Sequence, residues 1–150
     1  MARHRVARLA TVSLSGRPAV VPCCFALMER DGAPTVVSLL DAKPKSVDAR
    51  DLARVRNIAT NPMVCLTVDD YAEDWQQLRF VQLQGRARLL EGESDEAVRA
   101  IAVLREKYAQ YRQMPLDGAP VIEIGELSAY SWSASGRWEG RSDALDTVIR

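Results

Sequence analysis

The run RLATVSL at residues 8–14 is followed at once by Ser15-Gly16-Arg17-Pro18, and this alternation of a short β-compatible run with a turn recurs along most of the chain. Residues 19–28 are apolar enough to be buried on both faces. Glu29-Arg30-Asp31-Gly32 then turns the chain into the β-branched run 35–40, so that the first three runs predict a meander. Residues 63–69 predict a fourth strand and residues 78–90 a longer fifth, in which Gly85 marks a bulge or bend. Residues 121–125 and 127–133 read as one last strand with an irregularity near Gly125.

Helical periodicity is confined to two places. Ser46 is placed to cap a helix over 47–60, with Leu52, Val55 and Ala59 on one stripe, Ile58 beside them, and Asn61-Pro62 as the stop. Ser94-Asp95-Glu96 caps and charges a second helix that carries Val98, Ile101, Ala102 and Leu104 and runs to about residue 108. About six strands and two helices, without internal repeat or linker, predict one domain over 1–150: a mainly β, α+β fold with a core over about 7–135 and a loose polar tail over 136–150. Short strands with so few helices favour a barrel over a parallel sheet.

Composition narrows the chemistry. Lys+Arg and Asp+Glu are both 20, so no global field draws the chain to nucleic acid or an anionic membrane, and any anion site must be local. The apolar runs are far shorter than a spanning helix, and Arg3, Arg5 and Arg8 interrupt any signal-peptide core, so a cytoplasmic protein is expected. Cys23, Cys24 and Cys65 form no CxxC and His4 is the single histidine, which argues against a protein-ligated metal and against a nucleophile needing a histidine base. The cysteines read as small buried hydrophobes, with the adjacent Cys23 and Cys24 pointing to opposite faces of a strand.

Residues 37–62, VSLLDAKPKSVDARDLARVRNIATNP, carry the strongest functional signal. Lys43 and Lys45 flank a helix start, where free N–H groups already favour an anion, and Arg50 and Arg54 follow at i, i+4. The alternative is a solvated basic loop whose arginines pair with Asp48 and Asp51.

Strand, polar turn, basic helix, Asn-Pro stop and strand, in that order, resemble the split-barrel flavin-binding superfamily that includes pyridoxamine 5′-phosphate oxidase, and most closely its F420-dependent oxidoreductase branch. The matching residues are Ala7-Arg8-Leu9-Ala10-Thr11-Val12, Gly16-Arg17-Pro18, Asp41-Ala42-Lys43-Pro44-Lys45, Leu52, Arg54, Arg56-Asn57-Ile58 and Asn61-Pro62. They continue with Asp69, Tyr71, Asp74-Trp75, Gly85-Arg86-Ala87 and Trp132-Ser133-Ala134-Ser135. Arg79 and Gln82 depart from the pattern, standing where the relatives carry an aromatic and a basic residue.

The resemblance implies a six-stranded antiparallel split β-barrel with two helices, and a homodimer with cofactor sites at its interface. By carry-over, Ser38, Lys43, Lys45, Arg54 and Asn57 hold the phosphate end, the backbone at Pro22 and Cys23 lies along the ring, and Trp75 and Trp132 line the pocket. Size points the same way, because a barrel filled by its own side chains has little room for a tricyclic ring, whereas a groove between two subunits does. The expected activity is hydride transfer between reduced coenzyme F420 and a small organic substrate, with no catalytic side chain singled out. The rivals are an FMN-dependent enzyme of the same superfamily, a non-catalytic cofactor carrier and, more weakly, a heme protein, for which His4 is the only histidine.

Overall fold

A computed structural model describes residues 1, 3–40 and 51–134 of the 150. Its strands are β1 (Ala7–Val12), β2 (Pro18–Cys23), β3 (Ala26–Arg30), β4 (Ala33–Leu39), β5 (Met63–Asp70), β6 (Arg79–Gly92) and β7 (Gly118–Ser133). The helices are α1 (Ala53–Thr60) and α2 (Asp95–Lys107). All neighbouring strands pair antiparallel, in the order β2-β1-β5-β6-β7-β4-β3.

That order dictates closure. β2 and β3 stand at opposite ends of it, which in a flat sheet means about 29 Å at six strand spacings. Yet only residues 24 and 25 join them, a link that spans at most about 11 Å from Cys23 to Ala26. The sheet must therefore curl until its two ends meet, giving a split barrel.

The strand count is seven where six are expected, because the single run over 19–28 is two strands. Its first half pairs with β1, Cys23 opposite Ala7, and its second with β4, Ala26 opposite Val37. The break between them has a physical cause that lies far away in sequence. The Phe25 N–H donates to the Tyr108 hydroxyl at 2.9 Å, and that hydroxyl donates toward the carbonyls of Phe25 and Arg5, each 2.8 Å away. With its backbone groups satisfied by a side chain, Phe25 can leave one ladder before the chain enters the next.

The hairpin between β3 and β4 turns on Asp31 and Gly32, both at positive φ (53° and 77°), the type I′ geometry that a two-residue hairpin prefers. The irregularity expected near Gly125 is a bulge. Gln84 faces Ser128 and Arg86 faces Gly125, so Gly85 alone opposes Glu126 and Leu127, with Glu126 at φ 52°. The extra residue resets the side-chain alternation: Ile122 and Ile124 point into the barrel before it, Leu127 and Ala129 after it.

Two apolar layers result. Inside the barrel, Leu9, Phe25, Val36, Leu66, Leu83, Ile122 and Ile124 pack together, with Ile58 of α1 at one end and Met1 packed against the same cluster. Outside, α2 lies on β3, β4, β6 and β7 and buries Ala97, Ala100, Ile101 and Leu104 against Val37, Leu39, Leu90 and Val121. Ser94 caps α2 as expected, accepting from the Ala97 N–H at 3.2 Å. The buried stripe uses Ala97 and Ala100 where Val98 and Ala102 were expected. Small side chains let the helix approach the sheet, and Val98 is left 56% exposed.

α1 also differs from expectation. Leu52 is extended (φ −63°, ψ 138°) and packs on the barrel interior, so the helix begins at Ala53, with the Leu52 carbonyl accepting from Val55 and Arg56. Ser46 and residues 47–50 lie outside the described residues. Asn57 and Ile58 are the buried residues of α1, while Ala59 is exposed.

Candidate functional site

α2 leaves the other half of the barrel wall uncovered, and cross-strand register defines what that outer face carries. One row runs Val20, Ala10, Cys65, Gln84, Ser128 across β2, β1, β5, β6 and β7. The next runs Pro22, Arg8, Thr67, Gln82, Tyr130, and a third Asp69, Phe80, Trp132. Among these thirteen residues the only charges are Arg8 and Asp69, and they bond to each other. A face five strands wide whose charges in these rows are a single ion pair, left open by its own helix, is unusual for a surface, which normally carries more Lys, Arg, Asp and Glu.

Aromatic rings gather at one edge of this face. Phe80 stacks on Trp132 with ring centroids 6.0 Å apart and an interplanar angle of 26°, and it meets Tyr130 at 5.6 Å. Beside them Gln82, Gln84, Ser128, Ala129 and Tyr130 line a depression of about 280 Å³. Phe80 and Tyr130 were not singled out from sequence, although the alternation Tyr130, Trp132 in the last strand is the signal that both point the same way.

The expected site residues fall at several places. Pro22 is exposed on β2, the end strand of the order, where a proline costs no ladder bond. Cys23 points inward and packs against the barrel cluster, while Cys24 packs against the α2 cluster, so the pair does face opposite sides of the wall. All three cysteines are half-buried, not fully buried as expected, and Cys65 stands on the open outer face.

Ser38 is buried on β4 opposite Ile122, and Arg54 is half-buried on α1. Asn57 is buried, and its side-chain amide donates to the Thr11 hydroxyl at 3.0 Å, which ties α1 to β1. Trp75 is 76% exposed on a single 3-10 turn, Trp75–Gln77, whose first N–H groups are capped by Asp74. Lys43 and Lys45 lie outside the described residues, as do Arg50 and the 135–150 tail.

Pro22 and Trp132 stand four strands apart on one face, about 19 Å along the sheet. That is wider than one tricyclic ring.

Arg79, one of the departures, donates to Asp70 at 2.6 Å, and His4 bonds the other Asp70 oxygen at 2.9 Å. These two bonds, His4 first, hold the Asp70 carboxyl below its ordinary range. Burial pushes the Tyr108 hydroxyl up to about 12 and the Lys107 amine down to about 8. Among the described residues no cluster of three or more His, Cys, Asp or Glu could hold a metal ion. No described helix is long and apolar enough to cross a membrane.

A groove of about 830 Å³ lies elsewhere, between α2 and the segment leading into β7. Its arginines are engaged: Arg112 donates to the carbonyls of Arg105 and Glu106, and Arg105 to Tyr111 and Asp117.

An antiparallel barrel with an external helix on one half and an open face on the other is a split-barrel fold. The chain belongs to the pyridoxamine 5′-phosphate oxidase family, whose sequence profile matches residues 1–130. Solved structures agree on the fold. A conserved hypothetical protein from Mycobacterium tuberculosis superposes with a TM-score of 0.62 at 20% identity, over 87% of this chain and 78% of that one. The heme storage protein of Vibrio cholerae gives 0.58 at 19% identity, over 84% of each chain. A heme binding protein from Mycobacterium smegmatis gives 0.67 at 20% identity, over 94% of this chain and 54% of that one. No curated protein matches the sequence significantly.

Proposed function

We propose that this chain is a homodimeric oxidoreductase that binds coenzyme F420 across its open sheet face and moves a hydride between that cofactor and a small organic substrate. The observation that carries the reading is the separation of Pro22 from Trp132 across the open face, which suits two ring-contacting elements supplied by different subunits. The residues fit a flavin-type group. Phe80, Tyr130 and Trp132 offer apolar ring surface, the backbone at Pro22 and Cys23 lies on an end strand, and Arg54, with Lys43 and Lys45, supplies cation for a phosphodiester.

The cofactor, when bound, supplies the redox chemistry. The chain's part is to hold it, orient it and exclude water, which suits a face without a free acid or base among its described residues. F420 is favoured over FMN because its acidic tail needs a longer cationic track than one compact phosphate, and Lys43, Lys45, Arg50, Arg54 and Arg56 provide one along the chain. In the structure the Arg56 guanidinium donates to the Asp51 carbonyl at 2.7 Å, so part of its hydrogen-bonding capacity is already used.

A second reading, a non-catalytic carrier, is favoured by the same lack of acid–base groups, and two similar folds belong to heme proteins. For a heme the chain offers one histidine, His4, whose Nε2 bonds Asp70 and whose Nδ1 is buried. Parallel titrations of purified protein with F420, FMN and hemin separate these readings. F420 binding at least tenfold tighter than FMN, lost about tenfold in Arg54→Ala without loss of melting temperature, is expected. Tighter FMN binding turns the assignment to an FMN enzyme, and tight binding without turnover of reduced F420 on any acceptor tried turns it to a carrier.

A further inference from the structure

The two ends of the strand order, β2 and β3, each carry one hydrogen-bonding edge that no described strand pairs. Which groups those edges show follows from register. The Ser13 N–H donates to the Arg17 carbonyl at 2.9 Å, so residues 13 and 17 form a hydrogen-bonded pair, and the ladder alternates from there. Thr11 and Ala19, Leu9 and Val21, and Ala7 and Cys23 therefore bond each other. Pro18, Val20 and Pro22, opposite Val12, Ala10 and Arg8, turn their backbone groups away from β1. Two of those three are prolines, so the free edge of β2 shows carbonyls at 18, 20 and 22 but a single N–H, that of Val20. The native ladder loses nothing by this, because the proline nitrogens point away from β1.

At β3 the tight turn on Asp31 and Gly32 makes Arg30 and Ala33 a hydrogen-bonded pair, so Leu27 and Glu29 face outward, both with their N–H. β3 can therefore donate, and β2 largely cannot. A copy that joined its β2 edge to the β3 edge of another would make a head-to-tail contact that leaves the same two edges free again, and such a contact grows without closing. A β2–β2 contact would close after two copies, but it would set acceptors against acceptors. Strand addition draws its affinity from N–H and C=O groups alternating along both edges. β2 lacks the donor at two of its three outward positions, which disables both kinds of contact.

We propose that Pro18 and Pro22 block β2 as a template for strand addition, so that a second copy of this chain cannot join by continuing the sheet and is confined to the open face. The second half of this inference rests on the homodimer proposed above, whereas the block at β2 does not.

The test compares the full wild-type chain with the double variant Pro18→Ala/Pro22→Ala, without cofactor, by sedimentation velocity over a wide concentration range and by amide hydrogen exchange. Wild type should show nothing larger than a dimer. The double variant should form larger species in amounts that grow with concentration, and in them the Val20 amide should exchange at least about tenfold more slowly than in wild type. Pro22→Ala alone, which restores one donor, should show the same change at higher concentration and serves if the double variant fails to fold. Pro115→Ala, an exposed proline outside the sheet, should leave the size distribution as it is. A wild-type monomer beside a double variant that grows through a protected Val20 amide supports the block and removes the dimer. Folded variants that keep the wild-type size distribution, or that grow with the Val20 amide still exchanging freely, overturn the proposal.

Discussion

Gly85 on β6 lies so close to Gly125 on β7 that a Cβ at position 85 would sit 2.6 Å from the Gly125 carbonyl oxygen and 2.9 Å from both Ile124 and Leu127. The contact occurs at the bulge that switches which β7 residues face inward, so it couples the two halves of the barrel wall. Backbone cannot retreat there without disturbing the ladder. Gly85→Ala should therefore destabilise the fold by about 1–3 kcal/mol, read as a lowered denaturation midpoint with unchanged slope. A wild-type midpoint would show that the bulge can absorb a methyl group.

Asn57 and Thr11 form the one described side-chain bond between α1 and β1, and both are buried. Removing either partner leaves the other unsatisfied, at a cost of about 1–3 kcal/mol. Asn57→Ala and Thr11→Val should each show that loss, and the double variant should lose clearly less than their sum, by on the order of 1 kcal/mol. Strict additivity would mean that the bond contributes nothing. Because Asn57 was carried over as a phosphate ligand, the same variants also report on the cofactor: an affinity loss well beyond the stability loss would give Asn57 both roles.

How much of this could be read from the chain depends on where the deciding contacts lie. The hairpin at Asp31-Gly32, the cap at Ser94 and the bulge near Gly125 are written in residues close together, and each was legible. The split of residues 19–28 into β2 and β3 was not, because the cause is Tyr108, 83 positions downstream of Phe25. Ile58, Ile101 and Leu104 were read correctly as buried, but other positions of both helix faces were misplaced for a related reason. Periodicity counts Val98 and Ala59 as core, whereas the sheet selects Ala97 and Ala100 for close approach and Asn57 for its bond to Thr11. Pro22 and Trp132 could be named one residue at a time from the sequence. Their separation across the open face could not be, since it needs the strand order.

That face leads to a test of assembly. If two copies pack through it, a charge added to the row of Ala10 and Gln84 is buried without a partner, and burying an unpaired charge is costly. Wild type should be a dimer by light scattering over a wide concentration range, with an interface of at least about 2,000 Å² in total. Ala10→Arg and Gln84→Glu should each raise the dimer dissociation constant at least tenfold, while Arg99→Glu on the exposed side of α2 should not. A wild-type monomer that binds cofactor tightly would remove the two-subunit site.

The pair at the barrel split sets the alkaline limb of the stability profile. Lys107 titrates at about 8 in the fold against an ordinary 10.5, so between those values the unfolded chain holds a proton that the folded chain has released. Stability must then rise with pH across that window, and its gain is absent below it. Tyr108 works in the opposite sense: its hydroxyl titrates at about 12 against an ordinary 10, so from pH 10 upward the folded chain holds the extra proton and stability falls. The two windows together place a maximum near pH 10. Lys107→Met should flatten the rise between pH 8 and 10 and leave the fall above it. Tyr108→Phe should remove the fall and lower stability below pH 10 by about 1–3 kcal/mol, because the Phe25 N–H loses its acceptor. Denaturant midpoints measured from pH 7 to 12 decide the matter, and a wild-type profile that is level or falling from pH 8 to 10 would mean that the Lys107 amine keeps its proton in the fold.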